Sequence, residues 1–143
     1  MDEGWRTFDH TGDLGLEVRA AGPERLFALA AIALLAQVVE APRSTREGAP
    51  EVSVTLELEG EDPADLLVHW LNTALLEAEV RRAVWTRAVV ELPGPGRLRG
   101  TLEGPRRDAA RHTFLREVKA VSHHGLELAL DPGACRCRLV LDI

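Results

Sequence analysis

The sequence predicts an α+β domain, a two-layer sandwich in which a largely antiparallel β-sheet carries two helices on one face. Two stretches have apolar residues recurring at three and four positions, the spacing of an amphipathic helix. Seven others alternate apolar and polar residues with the period of two that is typical of strands. So few helices among so many strands favour antiparallel pairing over the alternating order of parallel α/β folds.

Both predicted helices have suitable residues at their starts. Pro23 fits the first turn of the helix at 23–40, because the first N–H groups of a helix have no partner in it. Asp62 is the expected N-cap of the helix at 62–82, and Pro63 follows it. The buried stripes are Leu26, Phe27, Ala30, Leu34, Leu35 and Val38 in the first helix, and Leu66, Leu67, Trp70, Leu71, Ala74, Leu75 and Ala78 in the second.

The remaining segments follow in order along the chain. The predicted strands are 14–20, 52–60, 83–92, 97–104, 112–122, 125–130 and 135–143. Glycine marks tight turns at 93–96, 123–125 and 131–133. The loop at 41–50 is expected to be mobile and to offer an adaptable contact surface. The first long strand and the last are predicted to lie side by side.

Length and composition limit the class of protein. The 143 residues fit a single domain, 1–143, that buries roughly 70% of the surface of its unfolded chain. The net charge of −6 argues against nucleic-acid binding by the whole surface, because phosphates would be repelled. The sequence has no apolar run long enough for a membrane span and an acidic, polar start unlike a signal peptide. We therefore expect a cytoplasmic protein that does not contact membranes.

The nucleophilic residues do not form a catalytic pattern. Cys135 and Cys137 would share one face of a strand, and no second pair of soft ligands accompanies them, so packing is favoured over half of a metal site. Ser122 and His123 are adjacent, which on a strand sends their side chains to opposite faces. The sequence therefore predicts that the chain is not an enzyme, with a metal-dependent hydrolase built on paired carboxylates as the alternative.

Two acids stand where strands begin or end. Asp13 lies between Gly12 and Gly15, just before the first long strand, and Asp142 is followed by Ile143 at the end of the last strand. Taken singly, Asp13 suits a turn and Asp142 suits a solvated end. If the strands are neighbours, however, the carboxylates would repel one another, and a hard divalent cation would reverse that repulsion.

Four motifs, "HTGDLGLEV" (10–18), "LNTALLEAE" (71–79), "REVKAVSHHGLEL" (116–128) and "LVLDI" (139–143), resemble the archease family in the same order and at the same spacing. The similarity covers essentially the full chain. The sequence departs from the family pattern at three positions. Gly12 stands in place of the usual Ala, Thr73 in place of a common Glu, and His123 in place of an aromatic residue.

The resemblance implies an α+β accessory protein of the RtcB-type RNA ligase, which joins 3′-phosphate or 2′,3′-cyclic phosphate ends to 5′-hydroxyl ends in tRNA splicing and RNA repair. Such a protein would promote guanylylation and multiple turnover of the ligase, and would contact RNA mainly through it. The alternative is a general chaperone, or a modulator of other RNA-processing proteins such as tRNA methyltransferases.

The resemblance also implies a divalent cation, calcium in the first place, with magnesium and manganese as alternatives. Its ligands would be Asp13, Asp142 and Ile143, the last through its terminal carboxylate or main-chain oxygen. Candidate residues for orienting the ligands or contacting the partner are His10, Thr11, Lys119 and His124. The arginines in the region 81–111 are interpreted either as contacts to RNA or ligase, or as a solvated face.

Overall fold

A computed structural model of the chain describes residues 2–41 and 50–143. The loop expected to be a mobile contact surface therefore lies, apart from its two end residues, outside the described residues. Along the chain the elements are β1 (Gly4–His10), β2 (Asp13–Ala20), α1 (Pro23–Ala36), β3 (Val39–Glu40), β4 (Val52–Glu59), α2 (Pro63–Arg81), β5 (Arg87–Gly94), β6 (Arg97–Gly104), β7 (Thr113–Phe114), β8 (Ala120–Asp131) and β9 (Ala134–Asp142).

The α+β class and the antiparallel pairing are confirmed. The strands of the described residues form a four-stranded sheet of order β1-β2-β9-β8, a three-stranded sheet of order β4-β6-β5, and the two-stranded sheet β3-β7. Helix α1 contacts β2 and β5, and α2 contacts β8 and β4, so each helix touches both larger sheets. The predicted neighbours, the first long strand and the last, are β2 and β9, and they pair directly.

Buried side chains between the helices and the sheets form the core. Asp62 caps α2 as predicted, because its Oδ1 accepts a hydrogen bond from the Asp65 N–H at 2.8 Å. The indole of Trp70, fully buried, donates to the Phe27 carbonyl of α1 at 2.9 Å. Helix α1 has a wider buried surface than the predicted stripe, since it has sheet strands on more than one side. Both cysteines are fully buried in this core, as the packing interpretation expected.

Several predicted boundaries are wrong. The first helix ends at Ala36, and Val39–Glu40 form a short strand instead of its last turn. The predicted strand 83–92 begins only at Arg87, because the three residues 83–85 are all buried and cannot alternate between two faces. Of the predicted strand 112–122, only Thr113–Phe114 and the last three residues pair as strand.

The segment 123–125 is not a turn between strands. It lies inside β8, where the pairing with β9 is irregular between Ser122 and Glu127. Gly125 has φ +75°, a conformation that glycine adopts without a steric penalty. Strand β1 was not predicted at all. It is an edge strand whose side chains are largely polar, so it has no clear apolar alternation. None of the described helices is both long enough and apolar enough to cross a membrane.

His112 is a buried imidazole that gave no signal in the sequence. The residue is only 6% exposed, and its Nδ1 accepts a hydrogen bond from the Asp108 N–H at 2.9 Å. Its Nε2 is buried and has no hydrogen-bond partner among the residues that the structure describes. Burial lowers the pKa of His112, as do Arg111 and Arg107, while Asp108 and Glu51 act in the opposite direction. The folded protein therefore holds this histidine neutral.

We expect the free energy of unfolding to decrease as the pH falls below about 6.5, the ordinary value for histidine. In that range the unfolded chain binds a proton at His112 more readily than the folded chain does, so acid favours unfolding. Urea unfolding at pH 7.5 and 5.5 measures the change. His112→Gln should lose part of this pH dependence, whereas His69→Gln, at an exposed position on α2, should keep it. Equal slopes for wild type and His112→Gln would refute the assignment.

Candidate functional site

One end of the four-stranded sheet brings together the turn between β1 and β2 and the end of β9. Strands β1 and β2 are joined by a two-residue hairpin, in which His10 pairs with Asp13. Gly12 has φ +74°, while Thr11 does not have positive φ, which is the sign pattern of a type II turn. This turn places Asp13 at the first position of β2, as the glycine in the sequence allows.

The pairing of β2 with β9 puts Asp142 beside Asp13. The register runs to Leu14 opposite Leu141, so Asp13 and Asp142 are the next residues of the two strands at that end. Leu16 and Leu139 are fully buried, and strand alternation therefore directs both acids to the opposite, outward face. Side chains at such neighbouring positions have Cβ atoms about 4.5–5.5 Å apart. Two carboxylates that are far apart in the sequence, one after the first hairpin turn and one in the last strand, thus share one corner of the sheet.

His10 lies beside this pair of acids. Its Nδ1 is 3.5 Å from Asp13 Oδ2, within range for an ion pair if the imidazole is protonated. The same Nδ1 is buried and makes no hydrogen bond in the described part of the chain, since that contact is too long and poorly aligned for one. The two side chains are 37% and 31% exposed, so they remain accessible to a ligand.

Of the other candidate residues, Lys119 and Thr11 lie at this corner of the sheet, and His124 lies in the irregular part of β8. Lys119 is next to the acids, because its backbone N–H donates to the Asp142 carbonyl at 2.7 Å, and its side chain is exposed. Thr11 is exposed in the hairpin turn. His124 lies in the irregular part of β8, where its N–H donates to Ser122 Oγ at 2.9 Å. No contact of His124 with Asp13 or Asp142 is present among the described residues, so the structure does not bring it to this corner.

Asn72 is a positioning residue that the sequence did not single out. Its Nδ2 donates to the Val121 carbonyl at 3.2 Å, and its Oδ1 accepts from the Val121 N–H at 2.8 Å. The amide thereby satisfies both backbone groups of one residue near the start of β8, as a neighbouring strand would. This ties α2 to the segment that holds Lys119 against Asp142. A polar residue inside an otherwise apolar helix stripe was the available signal.

The donor set is suited in type to a hard divalent cation. Carboxylate and carbonyl oxygens are the ligands that such ions prefer. In the described ranges, no three side chains of His, Cys, Asp or Glu are grouped as a metal centre by themselves. Asp13 and Asp142 provide two carboxylates, so a cation here would need further oxygens from Ile143, from water or from a partner. Ile143 directly follows Asp142 and is 43% exposed.

The arginines of region 81–111 are partly paired with acids. Arg81 Nε lies 2.6 Å from Glu77 Oε2, and Arg111 Nε lies 3.1 Å from Asp108 Oδ2. These pairs fit the interpretation as a solvated face.

Comparisons with known proteins agree with the fold. The protein-family model described as "Archease protein family (MTH1598/TM1083)" matches residues 5–143. "Protein archease" of Methanopyrus kandleri is 31% identical over 142 residues, which cover 97% of this chain and 99% of that protein. "Protein archease" of Pyrococcus furiosus is 29% identical over 143 residues, with coverage of 97% and 98%.

Two solved structures have the same fold. The solution structure of Methanobacterium thermoautotrophicum protein 1598 superposes with a TM-score of 0.76 at 28% identity, covering 98% of this chain and 99% of that one. A Thermotoga maritima crystal structure, described as that of "an archease, possible chaperone", superposes with a TM-score of 0.64 at 19% identity and covers 96% of each chain.

Proposed function

Because the chain belongs to the archease family, we propose that it is a non-catalytic activator of an RtcB-type RNA ligase that acts through a divalent-cation site at Asp13, Asp142 and Ile143. The observation that supports this proposal is the pairing of β2 with β9, which places the two acids side by side on one face. Neither carboxylate contributes to the packing of the core, since both lie at the end of the sheet and face outward.

Each residue of the corner has a separate task in this proposal. Asp13 and Asp142 bind the cation, and an oxygen of Ile143 completes the protein ligands. His10, 3.5 Å from Asp13, orients that carboxylate. The Lys119 N–H holds the Asp142 backbone in place at 2.7 Å, and its ammonium group is free to contact an acidic group or a phosphate of the partner. A bound cation offers its remaining coordination positions to oxygens of the ligase or of its nucleotide.

Ligation turnover tests the proposal. A limiting amount of RtcB-type ligase is mixed with GTP, divalent metal, and RNA ends bearing a 3′-phosphate and a 5′-hydroxyl, with and without the chain. We expect several turnovers per ligase with wild type. Asp13→Ala should reduce the stimulation by at least the 10–100-fold that lost metal-site partners typically cost.

The matched control is Asp131→Ala. Asp131 is an exposed acid at the opposite end of the same sheet, where it pairs with Ala134 in the β8–β9 hairpin, so its removal changes the net charge equally. The Asp131→Ala variant should stimulate the ligase as much as wild type does. Full stimulation by Asp13→Ala would rule out the cation site as the active feature.

An exposed groove lined by apolar and charged side chains supports the general chaperone as a second candidate. The groove has a volume of about 640 Å³ and lies between α2 and the segment from β7 to β8. Leu76 and Phe114 line it and are 60% and 61% exposed, far more than is usual for large apolar side chains. A chaperone would suppress the aggregation of unrelated proteins. If the protein is such a chaperone, the variants Leu76→Ser and Phe114→Ser should lose this activity, and Asp13→Ala should keep it.

A further inference from the structure

The outward face of the four-stranded sheet has a set of arginines around one buried carboxylate. Glu17 of β2 is opposite Arg6 of β1 on one side and Arg138 of β9 on the other. Arg19, two residues further along β2, has the same orientation. The helices pack against the other face, where the buried residues of β2 and β9 belong to the core.

Glu17 is 3% exposed and is held by three guanidinium groups. Its Oε1 is 2.9 Å from Arg19 Nη2, and its Oε2 is 3.1 Å from Arg6 Nη2 and 3.7 Å from Arg138 Nε. Burial acts to raise the pKa of Glu17, but the hydrogen bonds from Arg6 and Arg19 outweigh it and the pKa is lowered. The carboxylate is therefore ionised at neutral pH. Arg138 also lies 3.4 Å from Glu127 Oε2, so two negative charges accompany these three arginines and one positive charge is left over.

A second observation favours anion binding at this face. Arg19 and Arg136 are direct cross-strand partners in the register of β2 and β9. Like charges directly opposite each other destabilise a sheet. Arg19 is ion-paired with Glu17, which is already shared with other arginines. Arg136 has Glu127 and Asp131 at diagonal positions of β8, but it makes no ion pair within 4.0 Å among the described residues. A negatively charged ligand over this pair would convert the repulsion into attraction.

The face also has a stacked aromatic ring. The Phe8 ring lies over Gly15, where a Cβ atom would collide with it, and the Arg138 guanidinium is 4.2 Å from the ring centroid. This cation–π contact holds the guanidinium in place. The Arg138 side chain is still 36% exposed, so part of it is available to a further planar group.

The outer face of the three-stranded sheet provides a contrast. There the register places Arg99 between Glu57 and Glu91, and Arg97 opposite Glu59. Acids outnumber arginines on that face. The outward face of the four-stranded sheet has five acids in all, but the two neighbouring cross-strand rows that hold the four arginines contain only Glu17 and Glu127. Asp131 lies one row further, and Asp13 and Asp142 lie at the other end of the sheet. The positive charge is therefore local, in a chain whose net charge is −6.

We propose that the arginine face, formed by Arg6, Arg19, Arg136 and Arg138 with Phe8, binds the phosphates of single-stranded RNA. Guanidinium forks match phosphate oxygens in pairs, which a lysine cannot do. Stacking of a base on an arginine plane or an aromatic ring is typical of single-stranded RNA recognition, and the Phe8–Arg138 stack offers such a surface. An acidic protein segment would use the charges but not the stack. This binding goes beyond ligase activation, because it requires neither the ligase nor a cation.

Fluorescence anisotropy with a labelled oligouridylate tests the proposal, with EDTA present, no ligase, and a series of salt concentrations. We expect wild type to bind with an affinity that falls as salt rises. Arg136→Gln should weaken binding and reduce the log–log salt slope by about 0.7, the value for one phosphate contact with a single strand. Glu17→Gln should strengthen binding, because it releases Arg6 and Arg19 from their carboxylate. Arg99→Gln, on the outer face of the three-stranded sheet, is the control and should bind like wild type.

Variants are compared only at temperatures where each is folded by circular dichroism. Arg136→Gln should be no less stable than wild type, because it relieves the repulsion with Arg19. Three results would overturn the proposal: an unchanged slope with Arg136→Gln, an equal loss with Arg99→Gln, or unchanged binding with Glu17→Gln. Competition separates RNA from an acidic protein as the ligand. If an oligoglutamate of equal charge displaces the labelled RNA as effectively as unlabelled RNA does, the face binds acidic protein segments instead.

Discussion

In calcium-free buffer, Asp142→Asn should be at least as stable as wild type, whereas in excess calcium wild type should be the more stable protein. Without a cation, the carboxylates of Asp13 and Asp142 repel one another across the β2–β9 pair. Both carboxylates are accessible to solvent, so water and salt screen this repulsion to at most about 1 kcal/mol. The asparagine relieves it without a change in side-chain size.

Calcium should reverse the order if, as proposed, it binds the folded protein and not the unfolded chain. A ligand at 100 times its dissociation constant stabilises the folded state by about 2.7 kcal/mol. Thermal unfolding of both proteins, with EDTA and with calcium, measures the reversal. Asp131→Asn, at the other end of the sheet, should follow wild type under both conditions. Equal calcium shifts for wild type and Asp142→Asn would contradict the assignment of Asp142 as a ligand.

Trp70→Ala should destabilise the fold by about 3–5 kcal/mol, the range for deleting a buried aromatic side chain. Trp70 is fully buried, and its indole joins α2 to α1 through the Phe27 carbonyl at 2.9 Å. The far edge of its ring contacts Gly100 of β6 so closely that a Cβ there would collide with it. The alanine would leave a cavity between two helices and a sheet, and would remove the hydrogen bond that joins the two helices.

Urea unfolding measures this loss, with Leu76→Ala as the control in the same helix. Leu76 is 60% exposed, and its replacement should change the free energy of unfolding by no more than about 0.5 kcal/mol. Trp70→Phe separates the two contributions, since it retains much of the volume but removes the hydrogen bond. It should cost about 0.5–1.5 kcal/mol for the lost hydrogen bond, since the Phe27 carbonyl keeps its partner within the helix. A loss below 1 kcal/mol for Trp70→Ala would show that the core does not depend on this contact.

The sequence was most informative where local chemistry determines structure. Asp62 and Pro63 mark the start of α2, and Gly12 and Gly133 adopt the positive φ values of their turns. The corner with Asp13 and Asp142 was predictable because a motif at each end of the chain pointed to the same neighbouring strands.

Features that depend on strand register were not predictable. Glu17 gives no sign in the sequence of being a buried carboxylate, because Arg6 and Arg138 reach it only through the pairing of three strands. The irregular pairing in β8 was mistaken for a turn, since a glycine with positive φ serves both purposes. Strand β1 was missed because an edge strand does not need an apolar face.

The most direct measurement is a calorimetric titration of calcium into the purified chain, into Asp13→Ala, and into a chain extended by three glycines after Ile143. We expect one site in wild type and at least 10-fold weaker binding in Asp13→Ala. Weaker binding in the extended chain would identify the terminal carboxylate as a ligand, and unchanged binding would exclude it. Equal affinity in wild type and Asp13→Ala, or no calcium binding by wild type, would contradict the account.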